Sequence, residues 1–436
     1  MAKWVNSLFH PFKGDIEVSG EKMKRLLLVS AVAASTLMAS GYKIPEQSLN
    51  STALAGAYVS NASTADTAYY NPANMAFMSK EKHLELNAMY IHLNPTKFSG
   101  SALGAPQHDA ESASEDFIIP QVYLVSAPMG EDEDVRIGLS LNAPAGLSKR
   151  WPEAPESYAA EEFTLQVIEV NPSLSYRILD NLSIAAGVRF VYSKGIVKTE
   201  LAPGAPGNFD MTGDSWDVGY NLAVAYNPLD MWGVALTYRS EVELSVEGGQ
   251  NFTYVDPTNP ANPLNGMDMT TPGSVSLPLP ATLTLATDVD VTESTNIEFV
   301  YERVFWSAYD ELNIQVPAFG TLQGMPAPKN WNDTNTFRLG LTQGLGDSLD
   351  LMVGLAYDQT PVPEETIGFE LPDSDAYIGS LGVRWALDES FDIGAALLYD
   401  QKTSRSVKPT ADNNGIDGEF TDASAILMSV GLGYKF

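Results

Sequence analysis

Apolar and polar residues alternate along most of this chain, and this alternation predicts β-strands. At 349–358 the odd positions are large and apolar, whereas the even positions are small or charged. The same division recurs at 182–193, 218–226, 391–400 and 424–436. The polar face consists mainly of Gly, Ala, Ser, Thr, Asn and Asp, which suits a crowded barrel interior better than the water-exposed face of a soluble sandwich. The pattern therefore predicts a membrane β-barrel.

The spacing of the alternating segments predicts an all-β fold, a fourteen-stranded antiparallel transmembrane β-barrel. Short connections at 179–181, 227–230 and 344–348 alternate with long ones, among them 195–213 and 245–278. Short periplasmic turns and long external loops are the rule in outer-membrane barrels. The strands are expected to begin near residues 83, 116, 134, 163, 182, 214, 231, 279, 295, 333, 349, 375, 391 and 422.

Two segments before the barrel lack this alternation. Met23-Lys24-Arg25 and the apolar run that follows have the form of a secretory signal, so we assign residues 1–40 to an upstream extension and signal peptide. Residues 41–82 are small and polar, and we expect them to form an N-terminal hatch, or plug, of short helices in the lumen. The barrel would then occupy residues 83–436.

The composition argues against nucleic-acid binding and against enzyme activity. The formal net charge of −30 argues against a nucleic-acid partner, because the phosphate backbone would be repelled, and the sequence has no cysteine. Only three histidines follow residue 40, namely His83, His92 and His108, and neither a Gly-x-Ser-x-Gly nor an HExxH motif occurs. We therefore expect no enzyme activity, no cofactor and no metal site.

Several segments in order carry a family resemblance. They are Asn71-Pro72-Ala73 after a Gly/Ala/Ser-rich run, the block at 171–190, LPATLTLATDV at 279–289 and LPDSDAYIGSLGVRW at 371–385. With these features the chain resembles the FadL/TodX-type family of Gram-negative outer-membrane transporters for long-chain fatty acids and hydrocarbons. The resemblance implies a hatched barrel that works as a monomer and passes hydrophobic small molecules without an energy source. External loops would capture the substrate, which would leave sideways at a kink in the third strand.

Two short motifs match parts of this scheme. Asn71, Pro72 and Ala73 correspond to the hatch motif of the family, and a rigid turn is the simpler interpretation, because Pro fixes its backbone and Asn can bond nearby backbone. In the third strand, Asn142, Pro144 and Gly146 interrupt the alternation. Pro removes a ladder hydrogen bond and Gly permits a bend, so this interruption marks either a lateral gap or the top of the strand turning into a loop.

Two sets of residues are candidates for substrate binding. Apolar side chains in the polar segments 195–213 and 245–278 could capture a ligand or could pack these loops together. They are Leu201, Phe209, Met211, Phe252, Tyr254, Met267 and Met269. Strand parity points Arg189, Arg239 and Arg338 inward, where they could bind a fatty carboxylate or pair with the abundant lumenal acids.

The sequence also suggests partners of the barrel in the outer membrane and leaves two alternative functions open. The aromatic C-terminus at Phe436 resembles the signal that the barrel assembly machinery reads, and the outward face would contact outer-membrane lipid and lipopolysaccharide. Neutral monoaromatic hydrocarbons or alkanes remain an alternative substrate class. A role of the long acidic loops in adhesion or phage binding is an alternative of another kind.

Overall fold

The computed structural model describes residues 41–200, 207–254, 261, 265–316 and 327–436. The α-helices are short: α1 (Leu49–Ala53), α2 (Thr67–Tyr70) and α3 (Ser157–Ala160). Short 3₁₀ helices span Pro72–Phe77, Trp306–Ala308 and Glu364–Thr366. Within the described ranges, no helix combines the length and hydropathy that crossing a bilayer requires.

Most of the described chain is β-strand. The strands are β1 (His83–Leu93), β2 (Lys97–Ala102), β3 (Ala105–Glu111), β4 (Glu115–Val125), β5 (Val135–Asn142), β6 (Gly146–Lys149), β7 (Glu162–Leu179), β8 (Leu182–Glu200), β9 (Gly207–Leu229), β10 (Trp232–Arg239), β11 (Val242–Tyr254), β12 (Met267–Leu279), β13 (Thr282–Thr292), β14 (Thr295–Val304), β15 (Glu311–Leu312), β16 (Ile314–Gln315), β17 (Ala327–Pro328), β18 (Thr334–Leu345), β19 (Leu349–Asp358), β20 (Ala376–Ala386), β21 (Phe391–Lys402), β22 (Arg405–Val407), β23 (Asp417–Thr421) and β24 (Ser424–Lys435).

These segments form a closed antiparallel barrel whose wall, over the described residues, has fourteen strands. Closure comes from β1, which pairs with β4 on one side and with β24 on the other. Three wall strands are interrupted: the third consists of β5 and β6, the seventh of β10 and β11, and the eighth of β12 and β13. The predicted fold class, including a hatch of short helices in the lumen, is confirmed.

The alternation separates a lipid face from a lumenal face. In β19 the exposed fractions of Leu351, Val353 and Leu355 are 41%, 47% and 59%, whereas Met352 between them is buried. Exposed aromatic residues lie near both ends of the strands, as expected for interfacial girdles. Those near the short turns include Trp232, Trp385, Phe391 and Phe436, and those near the opposite end include Trp216, Tyr220, Tyr377 and Tyr399.

The segment 41–78 fills the lumen and is anchored to the wall by polar contacts. Glu298 of β14 accepts hydrogen bonds from the backbone N–H groups of Val59 (2.7 Å) and Ser60 (2.6 Å). Ser380 of β20 donates to the carbonyl oxygen of Ala53 at 2.8 Å. Because these contacts satisfy backbone groups of irregular structure, the hatch can be buried without losing its hydrogen bonds.

The structure corrects the prediction for the long segments 195–213 and 245–278. Much of each is strand, because β8 continues to Glu200, β9 begins at Gly207, and β11 and β12 together cover all but 255–266 of the second segment. Beyond the bilayer a strand no longer has an apolar lipid face, so its alternation fades and the sequence looks like a loop. The interpretation as loops was therefore wrong, and the described capture candidates lie on strands.

Candidate functional site

The Asn-Pro-Ala motif fixes the hatch to the wall. Asn71 caps the 3₁₀ helix that begins at Pro72: its side-chain oxygen accepts from the N–H of Ala73 at 3.3 Å, and its Nδ2 donates to Val59 O at 3.1 Å. The carbonyl oxygen of Ala73 accepts from Ser183 Oγ of β8 at 2.7 Å. The motif thus connects two parts of the hatch to each other and to the barrel.

The interruption in the third wall strand is bonded to the hatch. Between β5 and β6, Ala143 exchanges two hydrogen bonds with the side chain of Gln47, at 2.8 and 3.0 Å. The carbonyl oxygen of Pro144 accepts from Ile44 N, and the N–H of Gly146 donates to Tyr42 O, both at 2.9 Å. Here the N-terminal part of the hatch supplies the backbone partners of the strand.

This arrangement leaves an opening in the ladder between the second and third wall strands. The strand β4 pairs with β5 only over 122–125, although it pairs with β1 along its whole length. Beside the opening, both side-chain amide atoms of Gln121, Ser140 Oγ and Asn142 Oδ1 are buried and have no hydrogen-bond partner among the described residues, whereas Asn142 Nδ2 donates to Tyr123 Oη at 2.7 Å.

A cavity of about 60 Å³ lies in the lumen between the hatch and the wall. It touches the third-strand interruption at Pro144 and the eighth-strand interruption at Pro280. Its walls bring together the three arginines singled out in the sequence. The lining includes Lys43, Tyr69, Tyr70, Arg189, Arg239, Leu279, Glu302 and Arg338.

Cationic groups outnumber carboxylates in this lining. Glu302 accepts from Lys43 Nζ at 2.7 Å and lies 3.4 Å from an Arg338 nitrogen. Just behind the lining, Glu169 of β7 accepts from Arg189 Nε at 2.8 Å and also pairs with Arg239. Each carboxylate therefore pairs with two cationic side chains. The arginines are all paired with acids, yet four cations share two carboxylates, so an excess of positive charge faces the cavity.

Two further features affect the charges around the cavity, a cation–π contact and the raised pKa of a carboxyl group. The guanidinium of Arg239 lies 4.3 Å from the ring centre of Tyr69, a cation–π contact that holds both side chains in place. Burial raises the pKa of Glu46 in the hatch to about 7, although the nearby Arg338 opposes this shift. Glu46 is thus partly protonated at neutral pH and adds less negative charge to this region than an exposed carboxylate would.

A second, smaller cavity lies beside an aromatic cluster at the outer end of the hatch. The ring of Tyr42 lies 4.7 Å from Trp306 and 5.7 Å from Trp331, and Tyr309 completes the cluster. The cavity, about 20 Å³, has a mainly apolar lining. Its apolar walls include Leu147, Phe163, Leu165, Leu277, Val362 and Leu371.

The predicted capture residues do not line the larger cavity. Met211 of β9 is buried in a hydrophobic cluster, and the partly buried Phe209 packs against the same cluster. Phe252 stands opposite both Phe209 and Met269 in the strand register, and Tyr254 stands opposite Met267. Leu201 lies outside the described residues. The six described side chains thus lie on the extended strands β9, β11 and β12 and not on the cavity.

Sequence reasoning missed Lys43, Tyr69 and Glu169. The inward parity of Glu169 could have been found, since it shares a face of β7 with the buried Ser173 and Ser175. Lys43 and Tyr69 belong to irregular hatch structure, where no periodicity indicates the direction of a side chain.

Comparisons with known proteins agree with this architecture. A family model described as "Outer membrane protein transport protein (OMPP1/FadL/TodX)" matches residues 30–436. A long-chain fatty acid transport protein of Escherichia coli O6:H1 is 25% identical, and the match covers 94% of this chain and 98% of the relative. Outer membrane protein P1 of Haemophilus influenzae is 24% identical over 95% of this chain and all of its own.

Solved structures show the same fold. A FadL homologue of Pseudomonas aeruginosa superposes with a TM-score of 0.79 at 21% identity, covering 91% of this chain and 100% of its own. The toluene transporter TodX of P. putida gives a TM-score of 0.68 at 17% identity, covering 89% and 98%. At such identities the likeness concerns the fold alone.

Proposed function

Because this chain belongs to the OMPP1/FadL/TodX family of outer-membrane transport proteins, we propose that it mediates passive uptake of long-chain fatty acids. Membership places the protein in the Gram-negative outer membrane, as a transporter of hydrophobic molecules rather than an enzyme. Several relatives that match along most of the chain are long-chain fatty acid transport proteins, which favours an acid as the substrate.

The observation that carries the choice of an acid is the excess of cations around the lumenal cavity. A fatty carboxylate there would meet Arg189, Arg239, Arg338 and Lys43 after leaving water. An arginine can hold a carboxylate through two parallel hydrogen bonds, and such charge-assisted bonds are stronger than neutral ones. A neutral hydrocarbon would gain nothing from these groups.

The size of the cavity supports gating by the hatch. About 60 Å³ accommodates a head group or a few water molecules, each of which needs roughly 10–15 Å³. A long alkyl chain does not fit, so binding requires the hatch segment near Lys43 and Tyr70 to move. Since Ile44 and Gln47 are bonded to the third-strand interruption, the same movement would change the opening beside β4.

We propose lateral exit through that opening. Each methylene group gains about 0.8 kcal/mol when it moves from water to an apolar phase, so a fatty acid favours the bilayer over the aqueous periplasm. Exposed Ile118 of β4 lies on the lipid side of the opening, where a departing chain would meet it.

Binding of oleate and of methyl oleate to the purified protein tests the choice of an acid. We expect tighter binding of oleate, and Arg338→Gln should weaken it by roughly tenfold or more, because a hydrogen bond to a charged group contributes about 1.5–3 kcal/mol. Arg177→Gln is the matched control, since Arg177 pairs with Asp134 away from the cavity. Equal affinity for the acid and its ester would contradict the proposal.

A second candidate, uptake of neutral monoaromatic hydrocarbons, is favoured by the apolar and aromatic walls of the cavity beside Tyr42 and Trp331, which at about 20 Å³ would have to widen to hold such a molecule. Toluene would then displace a bound ligand as well as oleate does, and Arg338→Gln would leave its affinity unchanged. Competition between the two compounds separates the candidates.

A further inference from the structure

The wall ladder is broken a second time, between the sixth and seventh wall strands. β9 pairs with β10 from Leu229 up to the pair Asn221–Arg239, and pairing resumes with β11 only at Asp214–Glu247. Over this part of the described wall no ladder pair joins 215–219 to 241–246. We call this interval the β9–β11 seam.

Two chain breaks at the same height produce the seam. The seventh strand is interrupted at residues 240–241, and the eighth is interrupted beside it at 280–281. Pro280 has no N–H group with which to continue a ladder. Above these breaks β11 and β12 stay paired with each other and turn inward, so that Val242, Leu244 and Leu279 are buried.

Side chains close the seam where the backbone ladder does not. At the edge of the seam next to the β9–β10 ladder, the backbone N–H of Ser240 donates to Tyr220 O and the backbone N–H of Tyr220 donates to Ser240 Oγ, both at 2.9 Å. Farther along, the backbone N–H of Ser245 donates to an Asp217 carboxylate oxygen at 3.3 Å. Between these contacts Val242 covers Gly219: a Cβ built on Gly219 would lie 2.6 Å from Val242 Cγ2. Closure thus depends on a few side-chain contacts and one valine.

The seam separates the lumenal cavity from the lipid face by a single residue layer. On the inner side, the same Gly219 Cβ position lies 3.7 Å from Arg189 Cδ, and Arg189 lines the cavity with Leu279. On the outer side, Trp216 and Val218 are 55% and 64% exposed. Trp216 belongs to the aromatic girdle farther from the short turns, which places the seam at the level of the outer leaflet.

We propose that the β9–β11 seam is a second lateral passage, through which a long-chain fatty acid dissolved in the outer leaflet enters the lumenal cavity. The carboxylate moves past Val242 to Arg189, and the alkyl chain follows along Val242 and Leu279. This inference rests on the proposed uptake of fatty acids and assigns entrance and exit to different parts of the wall.

A reversible disulfide across the seam tests the passage in transport. The chain has no cysteine, and a Cβ on Gly219 would lie 2.6 Å from Val242 Cγ2, which is one bond from its own Cβ. The Cβ atoms of the variant Gly219→Cys/Val242→Cys would therefore be no more than about 4 Å apart, close enough for a disulfide. In cells producing this variant, oxidation should reduce the initial rate of oleate uptake to the level of cells without the protein, and reduction should restore it. The control is Val353→Cys/Leu381→Cys, opposite lipid-facing residues in the intact β19–β20 ladder. Undiminished uptake by the oxidised seam variant would overturn the proposal.

A labelling experiment separates this inference from the proposed function. In liposomes, a bilayer-dissolved alkyl maleimide should label Val242→Cys, and oleate should protect the thiol. It should not label Ala286→Cys, which is buried on β13 between two continuous ladders. Equal resistance of both thiols would show a sealed wall and refute the seam whether or not the protein transports fatty acids. Labelling without oleate uptake would instead contradict the proposed function.

Discussion

Glycines on the inner face of the wall allow the hatch backbone to pack closely against the strands, and Gly354→Ala tests how tightly the hatch is held there. Gly340 of β18 and Gly354 of β19 stand opposite each other and face hatch residues 54–57. A Cβ on Gly354 would lie closer than 3.0 Å to backbone atoms of Leu54 and Ala55, a separation that Cβ atoms essentially never show. Since backbone cannot rotate away as a side-chain end can, the hatch itself must shift.

The size of the effect follows from this overlap. The Gly354 Cβ position lies 2.1 Å from the carbonyl carbon of Leu54, and carbon atoms pack best about 3.5–4.0 Å apart, so the hatch must retreat by more than about 1 Å from β19. Overpacking of this kind costs about 1–3 kcal/mol, which corresponds to a roughly 5- to 150-fold increase in the fraction of molecules with a displaced hatch.

Single-channel conductance in planar bilayers measures that fraction. Deletion of residues 41–78 defines the open limit, and Gly354→Ala should show openings toward that limit far more often than the unaltered protein. Gly379→Ala is the matched control: it lies on the adjacent strand, and the nearest atom to its Cβ would be 3.9 Å away. Identical closed traces for the two alanine variants would refute the view that close packing on the wall glycines holds the hatch in place.

Three further predictions concern the hatch and its charges. Burial raises the pKa of Glu46 to about 7, so its contribution to hatch stability is complete below about pH 4.5 and is lost as the pH rises through 7; the loss is about 3 kcal/mol. Hydrogen exchange of hatch amides at pH 5 and pH 8 should show this loss, and Glu46→Gln should abolish the difference. Glu169→Gln leaves Arg189 and Arg239 without their common carboxylate and should lower the free energy of unfolding by about 3–5 kcal/mol, as denaturant titration would show; a change below about 1 kcal/mol would mean that the pair is solvated. Asn71→Ala removes a helix cap and should destabilise the hatch by about 1 kcal/mol, making it more sensitive to protease without changing barrel unfolding; unaltered proteolysis would count against the anchoring role.

The lipid environment explains why the fold could be predicted from the sequence. A bilayer requires an apolar residue at every second position, so segments such as 349–358 and 391–400 show their period directly. Outside the bilayer this requirement ends, which is why the outer parts of β9, β11 and β12 looked like loops. Residues there form strands because they pair with neighbouring strands, as Phe252 pairs with Phe209. Such pairing does not require a periodic pattern of apolar residues in the sequence.

The candidate site was predictable only where it belongs to regular strands. Parity indicated that Arg189, Arg239 and Arg338 point inward, and the structure places all three on one cavity. Their hatch partner Lys43 could not be found, because its position depends on the contacts of Ile44 and Gln47 with a distant strand. The seam could not be predicted either. It depends on the interruptions at Pro280 and after Arg239 lying side by side in the wall, and the sequence does not show their relative heights.

Uptake of labelled oleate by whole cells decides whether this protein transports long-chain fatty acids. The host is a Gram-negative strain lacking its own outer-membrane fatty acid transporter, and the protein is confirmed to be folded in its outer membrane. Producing this protein should raise the initial rate of oleate uptake, excess unlabelled oleate should compete, and Arg338→Gln should reduce the rate. A rate no higher than in cells without the protein would contradict the proposed function.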